Sequence, residues 1–136
     1  MCIRDRTTTI DWKTKRVSFS AAPEVSAETQ PGLQDRASLL LHLAWRQRSH
    51  IDATSEVPVT GSRRVALYRF TRNGSEKVKV PVGEVETVKV ERPGDDDHDR
   101  IEAWLGKGWC GLPVRIRYTD RHGGVIDHRM RSARID

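Results

Sequence analysis

Hard cations want clustered carboxylates, and Gly94-Asp95-Asp96-Asp97-His98-Asp99 is the densest acidic run in the chain. Asp95, Asp97 and Asp99 match the opening alternation of a calcium loop. The place that requires glycine holds Arg100, and the place that requires a bidentate glutamate holds Gly106. The run therefore reads as an exposed acidic hairpin loop. The histidines are His42, His50, His98, His122 and His128. Zinc needs two ligands at close spacing plus further Cys or His, and the nearest pair, His122 and His128, is split by a turn and a strand. Cys110 could serve as a nucleophile only with a base and a third orienting group; it reads as a small residue in a glycine-rich turn. Gly106-Lys107-Gly108 is neither a P-loop nor a dinucleotide fingerprint. Trp104 and Trp109, near arginines, could stack on bases or meet lipid headgroups, although closing the open end of a sheet core is the simpler role. No catalytic residue, metal ligand or cofactor site is nominated, and the chain reads as non-enzymatic.

The elements that would carry these residues are mostly strands. Asp99–Leu105 and Leu112–Tyr118 flank the turn with Gly106, Gly108 and Gly111. Ile101, Ala103 and Leu105 alternate with Arg100, Glu102 and Trp104; Val114, Ile116 and Tyr118 alternate with Arg115, Arg117 and Thr119. Period-two alternation predicts one apolar and one polar face. Thr8–Trp12 and Arg16–Ser20 predict a hairpin around Lys13–Lys15, and Ala21–Leu33, with two prolines and Gly32, predicts a surface connection. Glu56–Thr60, with Pro58, predicts a short edge strand. Arg64–Arg72 and Glu76–Val80 flank Asn73-Gly74, a strong hairpin signal because both residues tolerate positive φ. Pro81–Glu84 predicts a tight turn. Val85–Glu91 predicts a strand whose phase change between Val85 and Val88 suggests a bulge, and Val125–Arg131 predicts the last strand. One helix is predicted, Gln34 to about Gln47, with Asp35 as N-cap. Leu39, Leu40, Leu43 and Ala44 share a face, Leu41 flanks it, and Arg46 and Arg48 lie in the last turn.

The 136 residues suit a single domain, residues 7–136. Charged residues reach 32% and the hydrophobic fraction is 36%, so the core is expected to be thin. The net charge of +5 raises nucleic acid as a partner. The basic residues, among them Arg63, Arg64, Lys77, Lys79, Arg115, Arg117, Arg129 and Arg131, are scattered through separate strands rather than massed in an arm. A solvated outer face is preferred to a phosphate- or anionic-lipid-facing stripe, and nucleic-acid binding rests on charge alone. Two cysteines, Cys2 and Cys110, predict no disulfide and leave the compartment open. MCIRDR (residues 1–6) is foreign to the rest of the chain and reads as an artefactual leader. No run is apolar enough to predict a membrane-spanning helix, and no signal peptide is legible.

QDRASLLLHLAW, VPVGEVETVKVER and DRIEAWLGKGWCGLPVRIRY, in that order, resemble the C-terminal part of the proteobacterial domain-of-unknown-function family 3108. Its Asp-x-x-Ser helix start is matched by Asp35 and Ser38. A Pro-x-Gly turn before a Thr-Val-Lys-Val strand is matched by Pro81, Gly83, Thr87, Val88, Lys89 and Val90, and a Trp-Leu strand then Leu-Pro-Val-Arg-Ile by Trp104, Leu105 and Leu112 to Ile116. The resemblance runs from about Ile10 to Ala133. It implies an exported periplasmic or envelope protein built on a strongly curved antiparallel sheet, with no activity or catalytic residues to carry over. The family's signal peptide and opening strands have no counterpart here, so the chain is expected to lack its N-terminal strands.

The fold expected is mainly β (α+β): a curved antiparallel sheet or half-barrel of about seven strands, with the amphipathic helix against its concave face. The ligand-facing or core residues nominated are Leu39, Leu40, Leu43, Val78, Val80, Ile101, Leu105, Val114 and Ile116. The function expected is binding of a lipid or other apolar ligand in the concavity. The alternative is an assembly module holding a partner envelope protein through its sheet edge or charged face.

Overall fold

The computed structural model describes residues 5–48, 54–95 and 98–134. Among the described residues the fold is mainly β with one helix. A three-stranded antiparallel sheet runs β1 (Thr8–Asp11), β2 (Arg16–Phe19), β3 (Ser26–Glu28). A seven-stranded sheet follows the order β10-β9-β8-β7-β6-β5-β4. Its strands are β4 (Gln34–Asp35), β5 (Thr54–Thr60), β6 (Val65–Val80), β7 (Gly83–Arg92), β8 (Arg100–Gly106), β9 (Pro113–Thr119) and β10 (Val125–Arg129). Helix α1 spans Arg36–Arg48. The sheet is mixed, because β4 runs parallel to β5.

The chain forms two compact units. The first comprises residues 1–39 and 56–68; the second comprises 40–55 and 69–136. In the first unit Asp11 accepts the backbone N–H groups of Lys13 and Thr14, which closes the β1–β2 hairpin. The alternation of β2 turns Val17 and Phe19 inward, where they pack with Ala22 and Leu33. The expected surface connection Ala21–Leu33 contains β3, which pairs Val17 with Ala27. Ser-Ala-Glu has little strand propensity of its own, so β3 is set by its partner. Asp35 caps the helix as expected. Its Oδ1 accepts the Ser38 N–H at 2.7 Å and its own N–H donates to the Ser38 hydroxyl at 3.1 Å, the reciprocal arrangement that satisfies two donors at a helix start. The Ser38 backbone N–H, then the Ser38 side chain, hold the Asp35 carboxyl below its ordinary pKa. The expected edge strand β5 is not the last of the sheet, since the two-residue β4 lies beyond it, but β4 pairs with Val59 and Thr60 and Pro58 falls just outside that pairing.

In the second unit the Asn73-Gly74 expectation fails. β6 is one continuous strand, and the pairs Arg72↔Val90 and Ser75↔Val88 leave Asn73 and Gly74 together opposite Lys89. The positive φ of Gly74, 82°, is spent on this bulge, which adds a residue to one strand and sharpens its twist. The Asn73 amide donates to Glu91 Oε2 at 3.0 Å, fastening the bulge to β7. The tight turn expected at Pro81–Glu84 is present, with Pro81-Val82 joining the paired Val80 and Gly83. The bulge expected between Val85 and Val88 is absent: β7 pairs in regular register there. Its change of phase is a change of face: Val85 packs in the Trp104 cluster, whereas Val88 pairs with Leu105 on the opposite face.

Leu43 and Ala44, from the part of α1 in this unit, are buried. A Cβ built on Gly111 would meet the Ala44 carbonyl oxygen at 2.8 Å. The helix backbone therefore lies directly on the β8–β9 turn, and the φ of Gly111, 77°, suits glycine for a second reason.

Candidate functional site

Residues paired in register lie on the same face of a sheet, so the ladder of β7 to β10 sorts the second unit into two surfaces. One carries the rows Val88–Leu105, Val90–Ala103–Ile116–His128 and Arg92–Ile101–Tyr118–Ile126. The other carries Lys89–Trp104–Arg115–Arg129 and Glu91–Glu102–Arg117–Asp127.

The second surface is not the solvated face that its sequence suggests. Trp104 is buried, and its indole Nε1 donates to Glu76 Oε1 at 2.7 Å. Lys89 Nζ and the Arg115 and Arg117 guanidiniums lie 5.0, 4.7 and 5.8 Å from its ring centroid. Each such contact, with the charged end lying over the ring, is worth about 0.5–1 kcal/mol. Val78, Val80, Val85 and Val114 pack with Trp104 on this side. The assumption that charge occupies one face and every apolar residue the other is thus corrected. Val114 departs from the alternation expected with Ile116 and Tyr118 because it is the extra residue between the pairs Trp104↔Arg115 and Leu105↔Pro113. Such a bulge re-aims a side chain.

Around the tryptophan the charges form a lattice. Lys89 Nζ meets Glu102 at 2.8 Å, where Glu102 is nearly fully buried, and Arg100 meets Glu91 at 2.6 Å. Arg115 binds Asp127 through two bonds, Nε at 3.1 Å and a terminal nitrogen at 2.7 Å. Arg117 and Arg129 each reach the same Asp127 Oδ2 at only 3.5 Å. The hydrogen bonds from Arg115 hold the Asp127 carboxyl at about 2, helped by the charges of Arg115, Arg129 and Arg117 and opposed by burial.

Of the nominated residues, Leu39, Leu43, Val78, Val80, Ile101, Leu105 and Val114 are buried, and Leu40 and Ile116 are half-buried. They do not line one surface. Ile101, Leu105 and Ile116 share the apolar face, while Val78, Val80 and Val114 belong to the Trp104 side. The expected apolar alternation of Tyr118 with Ile116 holds, although Tyr118 is not among the nominated residues; the sequence reading missed Ile126 as a continuation of the apolar face and Asp127 as the hub of three arginines. The signal for Asp127 lay in its period-two place beside Arg129, with Arg117 opposite it and Arg115 diagonal to it on the adjacent strand.

The other candidates fall on ordinary structure. His98 Nδ1 lies 2.7 Å from Asp95 in the acidic loop, and Asp97, Cys2 and His50 lie outside the described residues. Among the described residues no group of three or more His, Cys, Asp or Glu could hold a metal. Cys110 is exposed at the turn with φ 57°. His42 stacks near Trp45 at 6.0 Å, and burial, then the charge of Arg46, lowers its pKa. A groove of about 500 Å³ in the first unit is lined by Arg6, Thr8, Ile10, Asp35, Arg36 and Thr60 with Gly61 and Ser62, and it takes in none of the nominated residues. Among the described residues no helix is long and apolar enough to cross a membrane.

No curated protein and no solved structure matches the chain. A family model described as "Protein of unknown function (DUF3108)" matches residues 3–129. With nearly the whole chain inside that match, the protein belongs to this family.

Proposed function

We propose that the protein is a non-enzymatic protein of the cell envelope that binds an acyl chain or similar apolar ligand along the apolar face of β8–β10. The observation behind this reading is a gradient of cover across one row of that face. Ile101 is buried on β8, Tyr118 is half-buried on β9, and Ile126 is 60% exposed on β10. An apolar surface that is closed at one end and open at the other can take up a guest without unfolding. The envelope location rests on the family resemblance. The test is to purify the protein from envelope fractions, extract it, and identify bound lipid by mass spectrometry. Stoichiometric acyl lipid, lost in Ile126→Lys, is the expected result; a lipid-free extract of folded protein would remove the reading.

A second reading has its own support. β10 ends the sheet order, all five of its residues are exposed, and Val125 and Ile126 are among them. Such an edge can accept a strand from a partner chain. Recovery of one envelope protein by wild type and not by Val125→Pro, which removes an edge donor, would favour it over the lipid reading.

A further inference from the structure

On the charged face the donors outnumber the acceptors around one carboxylate. Arg115 and Arg129 are directly opposite in register, an arrangement of like charges that is unfavourable unless a counter-ion lies between them. Asp127 is that counter-ion, and Arg115 takes both of its oxygens at hydrogen-bond distance. Arg117 and Arg129 are left to share Oδ2 at 3.5 Å, at the limit of a useful hydrogen bond. Glu102, opposite Arg117 in register, is ion-paired instead with Lys89 at 2.8 Å and with Arg100 at 3.6 Å. Among the described residues the Arg117 Nε is buried with no hydrogen-bond partner. An orphaned charged donor carries the full cost of its desolvation. Arg117 and Arg129 nonetheless keep 35% and 52% of their side chains exposed, so their outer nitrogens are reachable from solvent.

We propose that Arg117 and Arg129 form an oxyanion site, taking a phosphate group between their guanidinium forks above Asp127. Guanidinium suits phosphate because two parallel N–H donors match two oxygens. Arg115 stays on Asp127 and fixes the floor of the site, while a turn of Arg117 toward the ligand supplies its unpaired donor with an acceptor. The phosphate can be free or carried on a lipid headgroup, and the site lies on the sheet face opposite the one proposed for an apolar chain. Its test is therefore independent of that reading.

The experiment titrates the full chain with inorganic phosphate and pyrophosphate by NMR, following the guanidinium signals of Arg117 and Arg129, against chloride at matched ionic strength. Saturable shifts at both residues are expected. Arg129→Gln, an exposed change that leaves the Trp104 core intact, should weaken binding about tenfold or more, as loss of a charge-assisted bond does. Asp127→Asn removes the competing carboxylate and should tighten binding, with phosphate raising the melting temperature of this variant more than that of wild type. Vesicles of phosphatidylglycerol with phosphatidylcholine as control distinguish the sources: displacement of bound pyrophosphate by the anionic vesicles alone identifies a headgroup, and no displacement identifies a free phosphate. Shifts that track ionic strength rather than phosphate, or equal binding by wild type and Arg129→Gln, would overturn the proposal.

Discussion

Gly111→Ala should be far more damaging than its place in a surface turn suggests, and Gly123→Ala provides the matched control. Both glycines hold left-handed conformations, φ 77° and 84°. An L residue pays roughly 1–2 kcal/mol for that region, and this cost is common to the two variants. Their surroundings differ. A Cβ at Gly123 meets nothing within 4 Å, whereas one at Gly111 meets the Ala44 carbonyl oxygen at 2.8 Å and the Ala44 Cα and carbonyl carbon at 3.5 Å. Those atoms are helix backbone and cannot swing aside as a side-chain tip would, so helix and turn must part. Overpacking of this kind costs about 1–3 kcal/mol, which places Gly111→Ala at about 2–5 kcal/mol in total. Urea unfolding followed by tryptophan fluorescence is the assay, since Trp109 lies in the same turn. With a slope of about 1–3 kcal/mol per molar urea, the two midpoints should differ by about 1 M, within a range of about 0.3–3 M. Coincident midpoints would show that α1 does not press on this turn, and the seating of the helix would be wrong.

Two further outcomes derive from the charge lattice. Lys89→Met leaves the buried Glu102 carboxylate, among the described residues, with Arg100 at 3.6 Å as its ion-pair partner, and should cost about 3–5 kcal/mol; adding Glu102→Leu should restore most of this in thermal melts, and failure to do so would deny that the pair acts as a unit. Asp127, with its carboxyl at about 2 against an ordinary 3.8, contributes stability that is fully present above about pH 4 and disappears as pH falls toward 2. The shift sets an upper limit of about 2.5 kcal/mol, which solvent at this 23% exposed side chain reduces to about 1–2 kcal/mol; Asp127→Asn should flatten that limb of the stability–pH curve, and an unchanged limb would reassign it to other carboxylates.

Most strands are legible because alternation is a local signal. Val17 and Phe19, or Ile101, Ala103 and Leu105, announce an inward face within a few residues, and Asp35 with Ser38 announces a helix start. What stays hidden depends on partners distant in sequence. Asn73-Gly74 supports either a hairpin or a bulge by its φ preferences, and only the register with Val88 and Val90 decides between them. Trp104 falls in the polar phase of β8, yet that phase is buried because Val78, Val85 and Val114 arrive from three other segments. Asp127 resembles one more surface charge, since its three arginines lie on β9 and β10 and converge only when those strands pair. The family match covers nearly the whole chain and agrees with the motif order, which is structural and carries no chemistry.

The two compact units are interleaved along the chain: residues 40–55 of the second interrupt the first, and α1 and β6 each begin in one and end in the other. No single cleavage can release either as an intact piece, so limited proteolysis should yield no stable fragment matching one unit. On the ribosome, where synthesis runs from the N-terminus, Ala44 of α1 emerges long before the turn at Gly111 that it rests on. The nascent chain must carry that leucine-rich segment unsheltered until the last third of translation, which makes it the natural place for a chaperone to hold.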